Sequence, residues 1–211
     1  MHAWAGTVKL LPKSELIVTS SVDHADWNYR PLLSALMRRR FALIERLLPP
    51  RRISRLLEVG FGSGIFLPEL ATKCEELYGI DIHDHVPEVQ AALARRNVSA
   101  VLSQQSAASM TFPDAFFDVI VSVSALEFIT DMDSAACELA RVLTRDGVLV
   151  AVMPVKSGFL DGMVRVLTGA DPRLDYEDRR ERVLPALLRE FQPISSSRFA
   201  GIYRAYALER T

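Results

Sequence analysis

The sequence predicts a doubly wound α/β fold, and three observations predict it. Apolar runs of strand length alternate along the chain with segments of helical period. Two of those runs, 118–123 and 147–152, are almost continuously apolar and rich in branched side chains, which suits strands buried on both faces of a parallel sheet. A third run, 53–59, stops at Gly60, Gly62 and Gly64 and passes directly into a helical pattern at Ile65-Phe66-Leu67, the strand–turn–helix entry of a βαβ unit.

Taken in order, residues 1–30 show no clear period and read as an N-terminal arm or lid. From Pro31, apolar residues at Leu32, Leu33, Leu36, Met37, Phe41, Ile44, Leu47 and Leu48 keep helical spacing until Pro49-Pro50 stops them. Strands then follow near 54–60, 77–82, 98–103, 117–123 and 146–153, with helices near 64–73, 86–96 and 133–143. After Pro154 the pattern changes. Residues 158–167 are apolar with scattered charges, and 176–191 read as a charged helix interrupted at Pro185. Two short strands, 192–199 and 202–209, flank Gly201 and are expected to close the sheet as an antiparallel hairpin. The organisation is therefore an arm at 1–30 and one domain at 31–211, with a substrate-side insertion at about 155–191.

Composition narrows the function classes. The chain has 211 residues, 49% of them hydrophobic, enough for one well-packed domain. A net charge of −1 gives no general field for nucleic acid. The basic residues cluster locally, at Arg38-Arg39-Arg40, Arg51-Arg52 and Arg55; this reads first as a solvated helix face and second as a patch for an acidic substrate or an anionic membrane surface. Two cysteines, Cys74 and Cys137, suggest neither a disulfide framework nor a zinc site. With no spanning run and no secretory pattern in 1–13, the expectation is a cytoplasmic protein.

The chemistry concentrates around the glycines. Glu58 precedes them, and Tyr78-Gly79-Ile80-Asp81 reads as a second short strand ending in an acid, 23 residues after Glu58, about what one βαβ unit needs. A nicotinamide-binding turn would carry G-x-G-x-x-G, but here the third glycine comes one residue early and Ile65 holds the expected place. A phosphate-cradling loop is excluded because no basic residue follows. The turn is adapted to a ligand without a diphosphate.

These residues resemble a known family. Glu58-x-Gly60-x-Gly62-x-Gly64 is similar to the first motif of the class I S-adenosylmethionine-dependent methyltransferases, and Tyr78-Gly79-Ile80-Asp81-Ile82 to their second-strand motif. Phe112-Pro113-Asp114-x-x-Phe117-Asp118-Val119-Ile120 resembles their approach to the fourth strand. Leu126-Glu127-Phe128-Ile129-x-Asp131 and Glu138-x-x-Arg141-Val142-Leu143-x-x-Asp146-Gly147 resemble the passage to the fifth. Together they cover about 54–154, with the pattern of the small-molecule and lipid-type enzymes. The resemblance implies a Rossmann-like, mostly parallel seven-stranded sheet ending in the antiparallel hairpin. It also implies S-adenosylmethionine as cofactor, with S-adenosylhomocysteine as product.

Roles follow residue by residue from that resemblance. Gly60, Phe61, Gly62 and Gly64 would form the turn against the amino-acid portion of the cofactor, with Glu58 orienting turn and ammonium. Asp81 would accept both ribose hydroxyls, Ile82 would pack on adenine, and Ser106 with Ala107 would meet the adenine edge, where the family often has an acid. Ser124 and Tyr29 complete the cofactor set, Tyr29 as a contact for the methionine carboxylate. Glu127 and His24 are the catalytic candidates, each against a structural reading. His83-x-His85 reads as exposed loop histidines in preference to a metal site. The chain has no Asn-Pro-Pro-Tyr-like element after the fourth strand and no Asp-Asn pair after the fifth, so metal-free transfer to a small-molecule or lipid-like acceptor is expected. No nucleic-acid partner is expected, and peripheral membrane contact and a homodimer stay open. The rival readings are a non-catalytic S-adenosylmethionine-binding partner subunit and, third, a nicotinamide oxidoreductase.

Overall fold

A computed structural model describes residues 8–20, 25–31, 33–155 and 179–211. Seven strands form one sheet: β1 (Ile53–Val59), β2 (Cys74–Asp81), β3 (Val101–Gln104), β4 (Phe117–Val123), β5 (Leu143–Pro154), β6 (Phe191–Phe199) and β7 (Tyr203–Arg210). Their order across the sheet is β3-β2-β1-β4-β5-β7-β6. β1 to β5 pair in parallel, and β7 runs antiparallel to both β5 and β6. The described helices are α1 (Ser34–Leu47), α2 (Leu67–Leu70), α3 (Val86–Ala94), α4 (Met132–Val142) and α5 (Arg179–Glu190).

Strand alternation divides the core into two layers. Val119 and Val121 of β4 face α1 and the N-terminal segment, joining Leu11, Phe41, Ile44 and Phe66. Ile120, one residue out of phase, faces α4 and α5 with Leu139, Leu149 and Leu187. Because both faces are covered, β1, β4 and β5 read in sequence as apolar runs without alternation. Among the described residues no helix is long and apolar enough to cross a membrane.

Several boundaries differ from expectation for identifiable reasons. The helix expected over 64–73 contracts to Leu67–Leu70. Gly64 has φ +72° and cannot join it, Pro68 lacks an N–H, and the flanking turns are tightened by Leu67 N–H to Gly64 O and Lys73 N–H to Leu70 O. The interruption expected at Pro185 does not occur: α5 continues through it. The hairpin turn holds Ala200 and Gly201 at φ +47° and +67°, with Ile202 N–H bonded to Phe199 O, the I′ geometry that matches strand twist. Residues 8–20 lie against the sheet end. Leu11 is fully buried and its N–H donates to Ile65 O at 2.9 Å, while Glu15 pairs with Arg95 at 2.6 Å.

Candidate functional site

The chain passes from β1 to β2 on one side and later returns to β4 on the other, which places a crevice at the carboxyl ends of these strands. The register aligns Val59 with Ile80 on one flank and with Ser122 on the other, so the residues that follow, Gly60, Asp81 and Ser124, meet at one rim. A cavity of about 520 Å³ opens there. Such volume lies in the usual range for small-molecule sites.

The turn after β1 forms one wall, and its glycines have different tasks. Gly60 sits at φ +76°, with its N–H on Ile80 O, and a Cβ there would lie 2.3 Å from Ala125 Cβ. Gly60→Ala is therefore expected to cost about 3 kcal/mol, combining left-handed strain with overpacking. Thermal unfolding should show this as a fall of roughly 10 °C. Gly201→Ala is the control, since its added Cβ meets nothing within 4 Å. An equal fall in both would refute the close-approach account. Gly64 does not line the cavity; its added Cβ would lie 2.7 Å from Val89 Cγ1, so it lets α3 pack closely.

Asp81 stands opposite the turn with its side chain 16% exposed. Its Oδ2 accepts from Gly62 N–H at 2.8 Å and its Oδ1 from Ile82 N–H at 2.7 Å. Each oxygen thus keeps a further lone pair on the same carboxylate. Ile82, 73% exposed, and the buried Ala107 supply apolar surface beside it, and Ser106 also lines the cavity, its Oγ accepting from Ala108 N–H at 3.2 Å.

Polar atoms without hydrogen-bond partners collect around the turn: Glu58 Oε2, Ser63 Oγ and Ser124 Oγ. All three residues line the cavity. Burial, then the neighbouring Asp81 charge, hold the Glu58 carboxyl well above its usual range, against the pull of Arg40. Ser124 takes φ +55°, an unusual conformation for serine, while its N–H donates to Val152 O at 2.8 Å.

The other candidates fall differently. Glu127, in a short 3-10 turn after β4, is 1% exposed and lies outside the cavity lining; neither oxygen has a hydrogen-bond partner among the described residues. Burial pushes its carboxyl up to about 7, with Arg180 and Arg40 opposing. Tyr29 does not line the cavity: its hydroxyl donates to Leu11 O and tethers the N-terminal segment. His24 lies outside the described residues, as does the apolar segment at 159–167. The expectation of an exposed loop histidine is corrected at His83, whose side chain is only 7% exposed, packed edge-on to the Phe61 ring at 5.0 Å.

Arg40 is the lining residue that sequence reasoning missed. Its neighbours Arg38 and Arg39 stack over Tyr29 and Phe199; Arg40 lies over the Phe41 ring at 4.9 Å and lines the cavity, half-buried, with Nε lacking a hydrogen-bond partner among the described residues. Its position shares the spacing of Met37, Phe41 and Ile44, a signal that an arginine lay on the apolar stripe of α1.

Residues 57–151 match the family described as "Methyltransferase domain". Over that stretch, a little under half of the chain, the sequence is similar to the class I S-adenosylmethionine-dependent methyltransferases. An uncharacterized methyltransferase, YcgJ, of Bacillus subtilis is 35% identical over 95 residues, 44% of this chain and 38% of that protein. A demethylmenaquinone methyltransferase of Roseiflexus is 33% identical over 107 residues, 50% of this chain and 44% of that protein. The matched region thus spans less than half the length of these relatives. The fold is shared with the N-methyltransferase NodS of Bradyrhizobium japonicum, crystallised with S-adenosylhomocysteine, at TM-score 0.64 and 20% identity over 92% of this chain and 94% of that one.

The cavity fits S-adenosylmethionine on its own chemistry. A ribose diol needs two acceptors side by side, and Asp81 has one free lone pair on each oxygen. An ammonium needs acceptors, which Glu58 Oε2 and the two serine hydroxyls offer. A carboxylate needs a donor, which Arg40 presents.

Proposed function

We propose that this chain transfers a methyl group from S-adenosylmethionine to a small-molecule or lipid-like acceptor by direct displacement. The carrying observation is the Asp81 carboxylate, fixed by two backbone N–H groups beside the glycine turn yet retaining an acceptor site on each oxygen. When bound, the cofactor supplies an electrophilic methyl group on a sulfonium that departs as a neutral thioether. Asp81 would hold the ribose, Gly60 and Gly62 would admit the amino-acid portion, and Arg40 would pair with its carboxylate. Positioning and water exclusion supply most of the rate in such a displacement. Trp27, Met37, Phe41, Phe66, Phe128 and Ile129 line the cavity, and these apolar walls favour an apolar acceptor. The demethylmenaquinone activity named for the Roseiflexus relative supports the same acceptor class.

Two measurements test the reading. Calorimetry is expected to show micromolar binding of S-adenosylhomocysteine and none of NAD. Methyl-labelled cofactor incubated with a metabolite extract is expected to move label into an apolar product. Binding of NAD in place of S-adenosylhomocysteine would overturn the cofactor. Binding without transfer to any acceptor in a broad panel would favour the partner-subunit reading.

A further inference from the structure

Gly62 lies in the middle of the turn at φ +51°, where nothing in its own side chain can hold it. Both faces of its backbone are instead tied to the end of β2. Its N–H donates to Asp81 Oδ2 at 2.8 Å, and its carbonyl lies 3.0 Å from His83 Nε2. The other ring nitrogen of His83, Nδ1, accepts from His85 N–H at 3.1 Å. A carbonyl oxygen can only accept, so Nε2 carries the proton and donates to Gly62 O, while Nδ1 is the accepting nitrogen. The ring is held by Phe61 on its flank and is largely buried. Its Nε2 lies 3.8 Å from Asp81 Oδ2, too far for a hydrogen bond.

We propose that His83 is a positioning residue for cofactor binding: its Nε2–H holds the Gly62 carbonyl, which keeps the Gly62 N–H on Asp81 and sets the carboxylate's remaining lone pairs toward the ribose diol. The proposal rests on the cofactor reading above. Without the clamp, the glycine is free to swing, and Asp81 loses the partner that fixes one of its oxygens. His83 itself lines the cavity, but the turn, Asp81 and the apolar walls stay in place, so the ligand-free fold changes little while affinity falls.

Side-chain geometry supplies the test. A glutamine amide can place a donor where Nε2 stands, whereas an asparagine reaches only the Nδ1 position and a leucine neither. His83→Leu and His83→Asn are each expected to weaken S-adenosylhomocysteine about 10-fold by calorimetry, the loss of roughly one hydrogen bond. His83→Gln is expected to recover affinity to within about 3-fold of the parent. Ligand-free melting temperatures should not follow that order. Equal affinity in the asparagine, leucine and parent proteins would overturn the clamp, as would equal losses in glutamine and leucine. Nitrogen-15 spectra of the ligand-free protein read the clamp independently, and an Nδ1–H tautomer at His83 would overturn it. If the parent itself fails to bind S-adenosylhomocysteine while the Nε2–H tautomer is present, the cofactor reading fails and the clamp stands.

Discussion

Asp81→Ala is expected to weaken S-adenosylhomocysteine binding about 100-fold, the loss of two charge-assisted hydrogen bonds worth roughly 1.5 kcal/mol each. The side chain has two sets of partners, and the experiment must separate them. Gly62 N–H and Ile82 N–H already occupy one site on each oxygen, so the alanine also releases the turn. A melting curve without ligand reads that structural share. An analogue lacking one ribose hydroxyl reads the other: it should bind the parent more weakly than S-adenosylhomocysteine does, yet bind Asp81→Ala no worse. Asp81→Asn should fall between, because the amide keeps one acceptor and turns a donor toward the diol or the turn. Unchanged calorimetry in Asp81→Ala would remove the ribose assignment, and with it the observation that carries the proposed function.

The parts of this molecule legible in its sequence are those whose cause is local. Strands β1, β4 and β5 announce themselves because burial on both faces leaves apolar residues running without alternation through most of each strand. Glu58, Gly60, Gly62 and Asp81 are legible because a tight turn and a carboxylate must sit at set distances along the chain. What stayed hidden depends on elements distant in sequence. Gly64 matters through Val89 of α3, and nothing in the turn itself distinguishes it from the cavity-lining glycines. Arg40 sits in an arginine triplet that reads as a solvated face, until the docking of α1 turns one of the three inward. His83 reads as loop because its burial comes from Phe61 and its purpose from the Gly62 carbonyl, both across the gap between β1 and β2.

Glu127→Gln is expected to raise stability above pH 7 and to leave it unchanged near pH 4.5. The carboxyl is fully buried, and burial lifts its folded value from an ordinary 4.5 to about 7. Below 4.5 both folded and unfolded chains carry the proton and no difference arises. As pH rises toward 7, the unfolded chain gives up the proton while the folded chain retains it, so stability falls. Above 7 the cost is constant, on the order of 3 kcal/mol. Glutamine is neutral throughout and of similar shape, so it should abolish that slope and melt roughly 10 °C higher than the parent at pH 8. Parallel melting curves from pH 5 to 8 would show that Glu127 does not carry the proton. The same variant bears on catalysis. If Glu127 took a proton from the acceptor, glutamine would abolish methyl transfer while improving stability. If transfer survives, Glu127 is not the base, and the acceptor has no proton to lose or loses it to solvent or to another group such as His24.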